Sequence, residues 1–161
     1  MQTRDRQAVR AMLLTPQQQI LLLKLKAPRY IFWIAPGGGI NRGESDHVAL
    51  RRELREETGL SDVQIGPCVW TRETTYVLGS AADAIEVHQS ERFYLVPIER
   101  FEANAQLMPD EAEREWFQEF AWVNPAQINA LAERVAPSKL ATELQTLIDN
   151  GPPAAPHPIA R

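Results

Sequence analysis

The sequence predicts an α+β fold, an α/β sandwich in which a mixed β-sheet lies between helices. Short apolar segments bounded by turn residues occur on both sides of one long segment that lacks proline and glycine. Two further segments with helical spacing of apolar residues follow near the end of the chain. Strands, a helix, more strands and two final helices form the order expected when helices pack on a sheet.

Three strands are predicted before the long helical segment. Residues 9–14 and 19–25 flank the turn at residues 15–18, which indicates a hairpin. The run from Ile20 to Leu23 is continuously apolar rather than alternating, which is typical of a strand buried on both faces. A further short strand is predicted over Ile31–Ile34, just before a turn rich in glycine.

Residues 45–58 predict the central helix. The segment contains no proline or glycine, and Gly59 follows it as a terminator that tolerates the left-handed conformation.

The second half of the chain predicts more strands and two helices. The strands are expected at residues 63–69, 73–78, 87–96 and 117–123. Asn124, Pro125 and Gln127 give a helix start with an Asn cap, proline at the first position and a capping box. Apolar residues at helical spacing extend this helix to Val135, and Ser138 is expected to cap a last helix that ends near residue 150.

Composition and charge exclude several classes of protein. The 161 residues are 44% apolar and 24% charged, which is typical of a globular chain with one core. A net charge of −4 argues against a surface for polymeric nucleic acid. The single cysteine, Cys68, excludes a disulfide scaffold and a cysteine-cluster metal site.

The organisation of the chain is predicted to be simple. We expect one domain over residues 1–150, followed by a disordered, proline-rich tail over residues 151–161. No apolar run approaches the length of a membrane span, and the first residues lack the apolar stretch of a secretion signal. A cytoplasmic protein without a membrane partner is expected.

Three glutamates fall on one side of the central helix. At about 100° per residue, Glu57 lies about 40° and Glu56 about 60° from Glu53, so the three share an arc of about 100°. Like charges at this spacing repel one another, and Mg²⁺, which prefers oxygen ligands, compensates them better than Arg52 does. The heptapeptide RRELREE at residues 51–57 is by itself more typical of a solvated surface helix.

The turn before the helix changes that interpretation. Four glycines precede the helix, at positions 37, 38, 39 and 43. Glycine lets the backbone approach a ligand closely, and a helix N-terminus favours a bound phosphate. The turn and the glutamates together therefore indicate a site for a metal ion and a phosphate.

Residues 38–60 read GGINRGESDHVALRRELREETGL and resemble the Nudix box. Every fixed position of the family pattern is met, by Gly38, Glu44, Arg52, Glu53, Leu54, Glu56, Glu57, Gly59 and Leu60. The resemblance implies a Nudix-type α/β/α sandwich with a mixed sheet. It also implies a pyrophosphohydrolase, in which water attacks phosphorus in a nucleoside diphosphate linked to another moiety. Nucleotide sugars such as ADP-ribose and nucleoside triphosphates both fit the box.

The resemblance also implies roles for individual residues. Glu53, Glu56 and Glu57 would be metal ligands and catalytic residues, with Glu56 or Glu57 as the first choice of general base. The backbone of Gly38 would lie against the metal or phosphate. Mg²⁺ is the expected cofactor, and Mn²⁺ would substitute for it. The structural residues of the box, which brace its loops, would be Glu44 and Arg52.

Residues outside the box are candidates for the rest of the site. An additional acid is expected downstream of the box, among Glu111, Glu113, Glu115 and Glu119. Glu113 and Glu115, just before the last strand, are favoured. Substrate contacts are expected from Arg72, Trp70 and Arg92, although core packing is the alternative for the tryptophan and surface placement is the alternative for the arginines.

The predicted partner is a small-molecule nucleotide. The sequence leaves open whether the protein forms a homodimer. The alternative function is a Nudix-fold sensor that binds a nucleotide without cleaving it. Retention of all three box glutamates favours the enzyme over this sensor.

Overall fold

The structure of the chain, a computed structural model, describes residues 1–109 and 111–160, and of residues 112 and 113 it describes the backbone alone. In this part of the chain nine strands and four α-helices are present. The strands are β1 Gln2–Leu14, β2 Ile20–Lys26, β3 Ile31–Ile34, β4 Gly37–Gly39, β5 Cys68–Leu78, β6 Ile85–Pro97, β7 Phe117–Val123, β8 Arg134–Ala136 and β9 His157–Pro158. The helices are α1 Asp46–Thr58, α2 Glu111–Trp116, α3 Pro125–Asn129 and α4 Leu140–Asn150.

The strands form one mixed sheet. Its order is β8-β3-β2-β1-β6-β5-β9, with β4 paired to β1 and β7 paired to β2. The long strands β1 and β6 run parallel from Gln2↔Ile85 to Leu14↔Pro97, whereas β2 pairs antiparallel with β3 and β7. The predicted α+β class with a mixed sheet is therefore confirmed.

Both faces of the sheet are covered. Alternate residues of β1 enter different cores, because successive strand side chains point to opposite faces. Val9 packs on the face that α1 covers, and Met12 packs on the face that α3 and α4 cover. Leu21 and Leu22 divide between the two cores in the same way, so β2 is buried on both faces, as its continuous apolar run predicts.

Helix α1 has the predicted extent and both predicted ends. The Ser45 side chain accepts a hydrogen bond from the Val48 N–H at 3.2 Å, and Gly59 takes a left-handed φ of 76°. Leu50 and Leu54 are fully buried against the sheet. The first turn is fixed to β6, since Arg92 donates two hydrogen bonds to the Asp46 carboxylate, at 2.5 and 2.8 Å.

Several predicted elements differ from the structure in their extent. β1 begins at Gln2 rather than at residue 9, and the strands expected at residues 63–69 and 73–78 form the single strand β5. β5 begins only at Cys68, because Pro67 has no N–H to donate to a neighbouring strand. The helix begun by Asn124 and Gln127 has the predicted capping box but ends at Asn129. Residues 134–136 instead pair with β3, so sheet pairing replaces the continued helix.

The last ten described residues differ from the expectation of a disordered tail. His157–Pro158 adds a short parallel strand beside β5, and the Ile159 N–H donates to Thr71 O at 2.9 Å. Ile159 is 8% exposed and packs in the core that contains Trp70. Prolines disfavour a helix but allow an extended chain at a sheet edge, and one buried apolar side chain fixes it there.

None of the helices in residues 1–109 and 111–160 has the length and apolar character needed to cross a membrane.

Ile159 anchors the C-terminal segment, which gives a test of its packing. We expect Ile159→Ala to lower the free energy of unfolding by about 2 kcal/mol, because the truncation leaves a cavity at the core edge. Urea denaturation measures this change. Val77→Ala, at a strand position that is 43% exposed, is the control and should cost clearly less. Equal costs for the two variants would show that the segment is not packed.

The ion pair at the start of α1 makes stability depend on pH. Hydrogen bonds from Arg92, opposed by partial burial, hold the pKa of Asp46 below its ordinary value. The stabilisation is therefore full above the unfolded pKa of about 4 and is lost as the pH falls through the lowered folded pKa.

Replacing this carboxylate tests the linkage. We expect Asp46→Asn to lower the free energy of unfolding by about 1–2 kcal/mol near neutral pH and to flatten the loss of stability below about pH 4. Urea denaturation over a pH series measures both effects. Asp5→Asn, at an exposed position of β1, should change neither. An unaltered pH profile in the Asp46 variant would refute the linkage.

Candidate active site

The glycine loop lies directly against the glutamate face of α1. A Cβ atom on Gly38 would stand 2.5 Å from Glu53 Oε1, and one on Gly37 would stand 2.0 Å from Val9 O. Gly37 also has φ +148°, a conformation that favours glycine. The two positions therefore require glycine, for contact with the glutamate in one case and with β1 in the other.

Arg52 forms hydrogen bonds with both the glycine loop and the glutamates of α1. Its Nε and Nη2 donate to the two carboxylate oxygens of Glu44 at 2.7 and 2.9 Å, and Nη2 also donates to Gly39 O at 2.9 Å. Its Nη1 donates to Glu53 Oε1 at 2.8 Å and to Glu56 Oε2 at 3.3 Å. One guanidinium thus joins the loop to two glutamates of the helix.

The three glutamates differ in how firmly they are held. Glu57 is buried and accepts a hydrogen bond from the Gly37 N–H at 2.9 Å. Glu53 is buried and paired to Arg52. The Glu56 side chain is 20% exposed, and its contact with Arg52 is the longer one. Glu56 is therefore the most accessible of the three.

Arginines set the electrostatics of the site. The hydrogen bond to Glu44 raises the pKa of Arg52 above its ordinary value, against the effect of burial, and the same bond lowers the pKa of Glu44. Burial lowers the pKa of Arg10, but attraction to Glu91, and beyond it to Glu57 and Glu53, raises it overall. Both arginines remain charged beside the acidic cluster.

The site suits a hard divalent cation, because its ligand atoms would be carboxylate oxygens. These oxygens lie beside a space at Gly38 that a Cβ atom would fill. Within residues 1–109 and 111–160, however, no three acidic, histidine or cysteine side chains are already grouped as ligands. The carboxylates are bound to Arg52 and to the Gly37 N–H instead. A bound cation would have to replace some of these hydrogen bonds.

A cavity of about 650 Å³ opens on the sheet face that α3 and α4 cover. It is lined by Tyr30, Phe32, Arg72, Ile128, Asn129, Leu131, Glu133, Arg134, Val135, Ala136 and Ser138. Arg72 reaches the buried carboxylate of Glu91, which also binds Arg10. The three charged side chains therefore extend from the wall of the cavity to Arg10, which is attracted electrostatically to Glu57 and Glu53.

Comparison with known protein families identifies the family that has this arrangement. A family model described as the NUDIX domain matches residues 4–144. The chain belongs to the Nudix family. The resemblance seen in residues 38–60 is thereby confirmed, and so is the predicted enzyme class, a Nudix pyrophosphohydrolase.

Individual Nudix proteins resemble the chain over most of their length. The nucleoside triphosphatase NudI of Escherichia fergusonii is 32% identical over 124 residues, covering 74% of this chain and 82% of that protein. The Escherichia coli dihydroneopterin triphosphate pyrophosphohydrolase has a TM-score of 0.63 at 16% identity, covering 89% of this chain and 95% of that one. MutT from Methanosarcina mazei has a TM-score of 0.62 at 16% identity, covering 93% and 99%. The two structures support the fold alone.

The predicted residues outside the Nudix box have different positions. Trp70 is buried in the core beside Phe93, and Arg92 is paired with Asp46 at the start of α1, so neither lines the cavity. Packing and ion pairing use these two side chains, and substrate contact by either of them stays a prediction. Arg72, the third candidate, does line the cavity.

The additional acid stays a prediction. Glu115 is exposed on α2, and in the described part of the chain no hydrogen bond or ion pair links it to the glutamates of the Nudix box. The side chain of Glu113 lies outside the described residues.

Sequence reasoning missed Arg10 and Glu91. Both are buried charges, and they pair at 2.8 Å across the neighbouring strands β1 and β6. A charged residue at an inward-facing position of a predicted strand could have indicated them, because buried charges are paired or functional.

The close fit of Gly38 in the Nudix box gives a test. We expect Gly38→Ala to lower the pyrophosphohydrolase activity by about 100-fold, because the added methyl displaces Glu53. Steady-state kinetics measure the loss. Gly39→Ala is the matched control, since its Cβ would meet only the end of the Arg6 side chain at 3.0 Å. Comparable losses in both variants would show that the loop, rather than Glu53, is affected.

Proposed function

We propose that the protein hydrolyses a pyrophosphate bond in nucleoside triphosphates with the help of a divalent cation, Mg²⁺ or Mn²⁺. The observation that carries this proposal is the set of three carboxylates on α1, held beside the glycine loop by Arg52 and by the Gly37 N–H. Similarity to nucleoside triphosphatases supports triphosphates over nucleotide sugars as substrates.

Glu53, Glu56 and Glu57 would hold the cation. When bound, it would neutralise phosphate oxygens and lower the pKa of a water molecule. Hard cations take carboxylate ligands together with substrate phosphates, which fits a site with few protein ligands.

The residues of the chain would perform the remaining tasks. Glu56 is our choice of general base, because it is the most accessible of the three glutamates and the least firmly bound. Glu57 and Glu53 would stay fixed by the loop and by Arg52. Catalysis would then come from positioning and charge stabilisation, with proton transfer from water to Glu56.

Replacing Glu56 tests the proposal. We expect Glu56→Gln to lower kcat by about 100- to 10,000-fold while leaving the fold intact, because the amide cannot take a proton. The measurement is hydrolysis of nucleoside triphosphates with Mg²⁺ or Mn²⁺, with chromatographic identification of monophosphate and pyrophosphate.

Controls separate catalysis from binding. Glu99→Gln changes an exposed glutamate outside the helix and should keep full activity. Chelation of the metal should stop hydrolysis. A wild-type protein that binds nucleotides without releasing any product would instead indicate the sensor function.

A further inference from the structure

The cavity has the chemistry of a nucleobase site. Phe32, Ile128, Leu131 and Val135 contribute aromatic and apolar surface, and Asn129 contributes an amide. A volume of about 650 Å³ lies within the range of small-ligand pockets. Arg72, Glu133 and Arg134 add charged groups to this lining, and aromatic and apolar surface beside polar groups suits a flat heterocycle.

Arg72 is one of two arginines in the wall of this cavity, and it is the one bound to Glu91. Its Nε and Nη2 donate to Glu91 Oε1 at 2.8 and 2.5 Å, and the Glu91 side chain is completely buried. Arg10 donates to the other oxygen, Glu91 Oε2, at 2.8 Å. Two bonds to a buried carboxylate fix the plane of the Arg72 guanidinium, so its remaining N–H groups have fixed directions.

Three N–H groups of Arg72 remain, two on Nη1 and one on Nη2. Within the described residues Nη1 has no hydrogen-bond partner. Glu91 is shared with Arg10, so the three side chains together carry a net charge of +1. A guanidinium held in a fixed plane selects a hydrogen-bond acceptor at a set position.

We propose that Arg72 is a specificity-determining residue, whose fixed donor binds a carbonyl oxygen of the nucleobase in this cavity. Bases with a carbonyl at the recognised position, such as uracil and hypoxanthine, would be preferred over cytosine and adenine, which carry an amino group there. This inference rests on the proposed function, because it assigns the nucleoside part of the same substrate.

The preference follows from hydrogen-bond chemistry. Uracil and cytosine differ at one ring position, where a carbonyl accepts and an amino group donates, and hypoxanthine and adenine differ in the same way. An amino group opposite Nη1 would place two donors together and leave both without a partner. Such a mismatch in a partly buried site lowers affinity by roughly tenfold or more.

Nucleoside 5′-monophosphates are the probes for the first experiment, because their binding needs no turnover. Calorimetric titration of the wild-type protein with UMP, CMP, IMP and AMP gives two matched affinity ratios. We expect UMP to bind roughly tenfold more tightly than CMP, and IMP more tightly than AMP by a similar factor. These affinities can be measured even if the protein hydrolyses no nucleotide. A negative result for base preference is therefore distinguishable from a negative result for the proposed hydrolysis.

Variants identify the residue responsible. Arg72→Gln should bring both ratios close to one, and its fold should persist because Glu91 keeps Arg10 as a partner. Arg72→Lys should retain the charge but lose most of the preference, since an ammonium lacks the fixed fork. Arg134→Gln is the matched control, because Arg134 lies on the same wall with its guanidinium over the Tyr30 ring. It should leave both ratios unchanged.

Glu91 acts as a positioning residue, and its variant gives a further readout. Glu91→Gln should reduce the base preference while the affinity for the phosphate part persists, which a merely structural role would not produce. Equal affinities of the wild type for carbonyl and amino bases would overturn the proposal. So would an equal loss for all four nucleotides in Arg72→Gln, which would mark a phosphate contact, or an equal change of the ratios in Arg134→Gln.

Discussion

The site depends on one cation placed among carboxylates. Three glutamates on little more than one turn of helix repel one another, and partial burial makes that repulsion larger. Arg52 offsets it for Glu53 and Glu56, while its bonds to Glu44 and Gly39 attach the loop to the helix. This guanidinium therefore fixes Glu53 and Glu56 relative to the loop, while Glu57 is bound by the Gly37 N–H.

The buried network Arg10–Glu91–Arg72 extends from the wall of the cavity toward the glutamates of α1. Burying three charges is costly, and such groups rarely add net stability compared with apolar packing. Their value lies in geometry, because a carboxylate with both oxygens occupied fixes the planes of two guanidinium groups. Arg72 lines the cavity, and Arg10 is attracted electrostatically to Glu53 and Glu57.

The sheet brings these groups together. Arg10, Glu91 and Arg72 come from β1, β6 and β5, which are adjacent strands, and all three side chains lie on the same face. The glycine loop pairs with β1 as a short antiparallel strand, so the backbone beside Arg10 is also the backbone that contacts the glutamate helix. Rigid strands therefore set the distance between the cavity and the carboxylates.

The sequence by itself determined the local elements and the Nudix box. Helix α1, its glycine terminator, the strand buried on both faces and the capping box at Asn124 depend on interactions within a few residues, which local patterns record. Only the tertiary structure decided that residues 134–136 join the sheet, that Ile159 is buried, and that Arg92 binds Asp46 while Arg72 reaches the cavity. The two arginines look alike along the chain, and strand pairing alone determines which face of the sheet each one occupies.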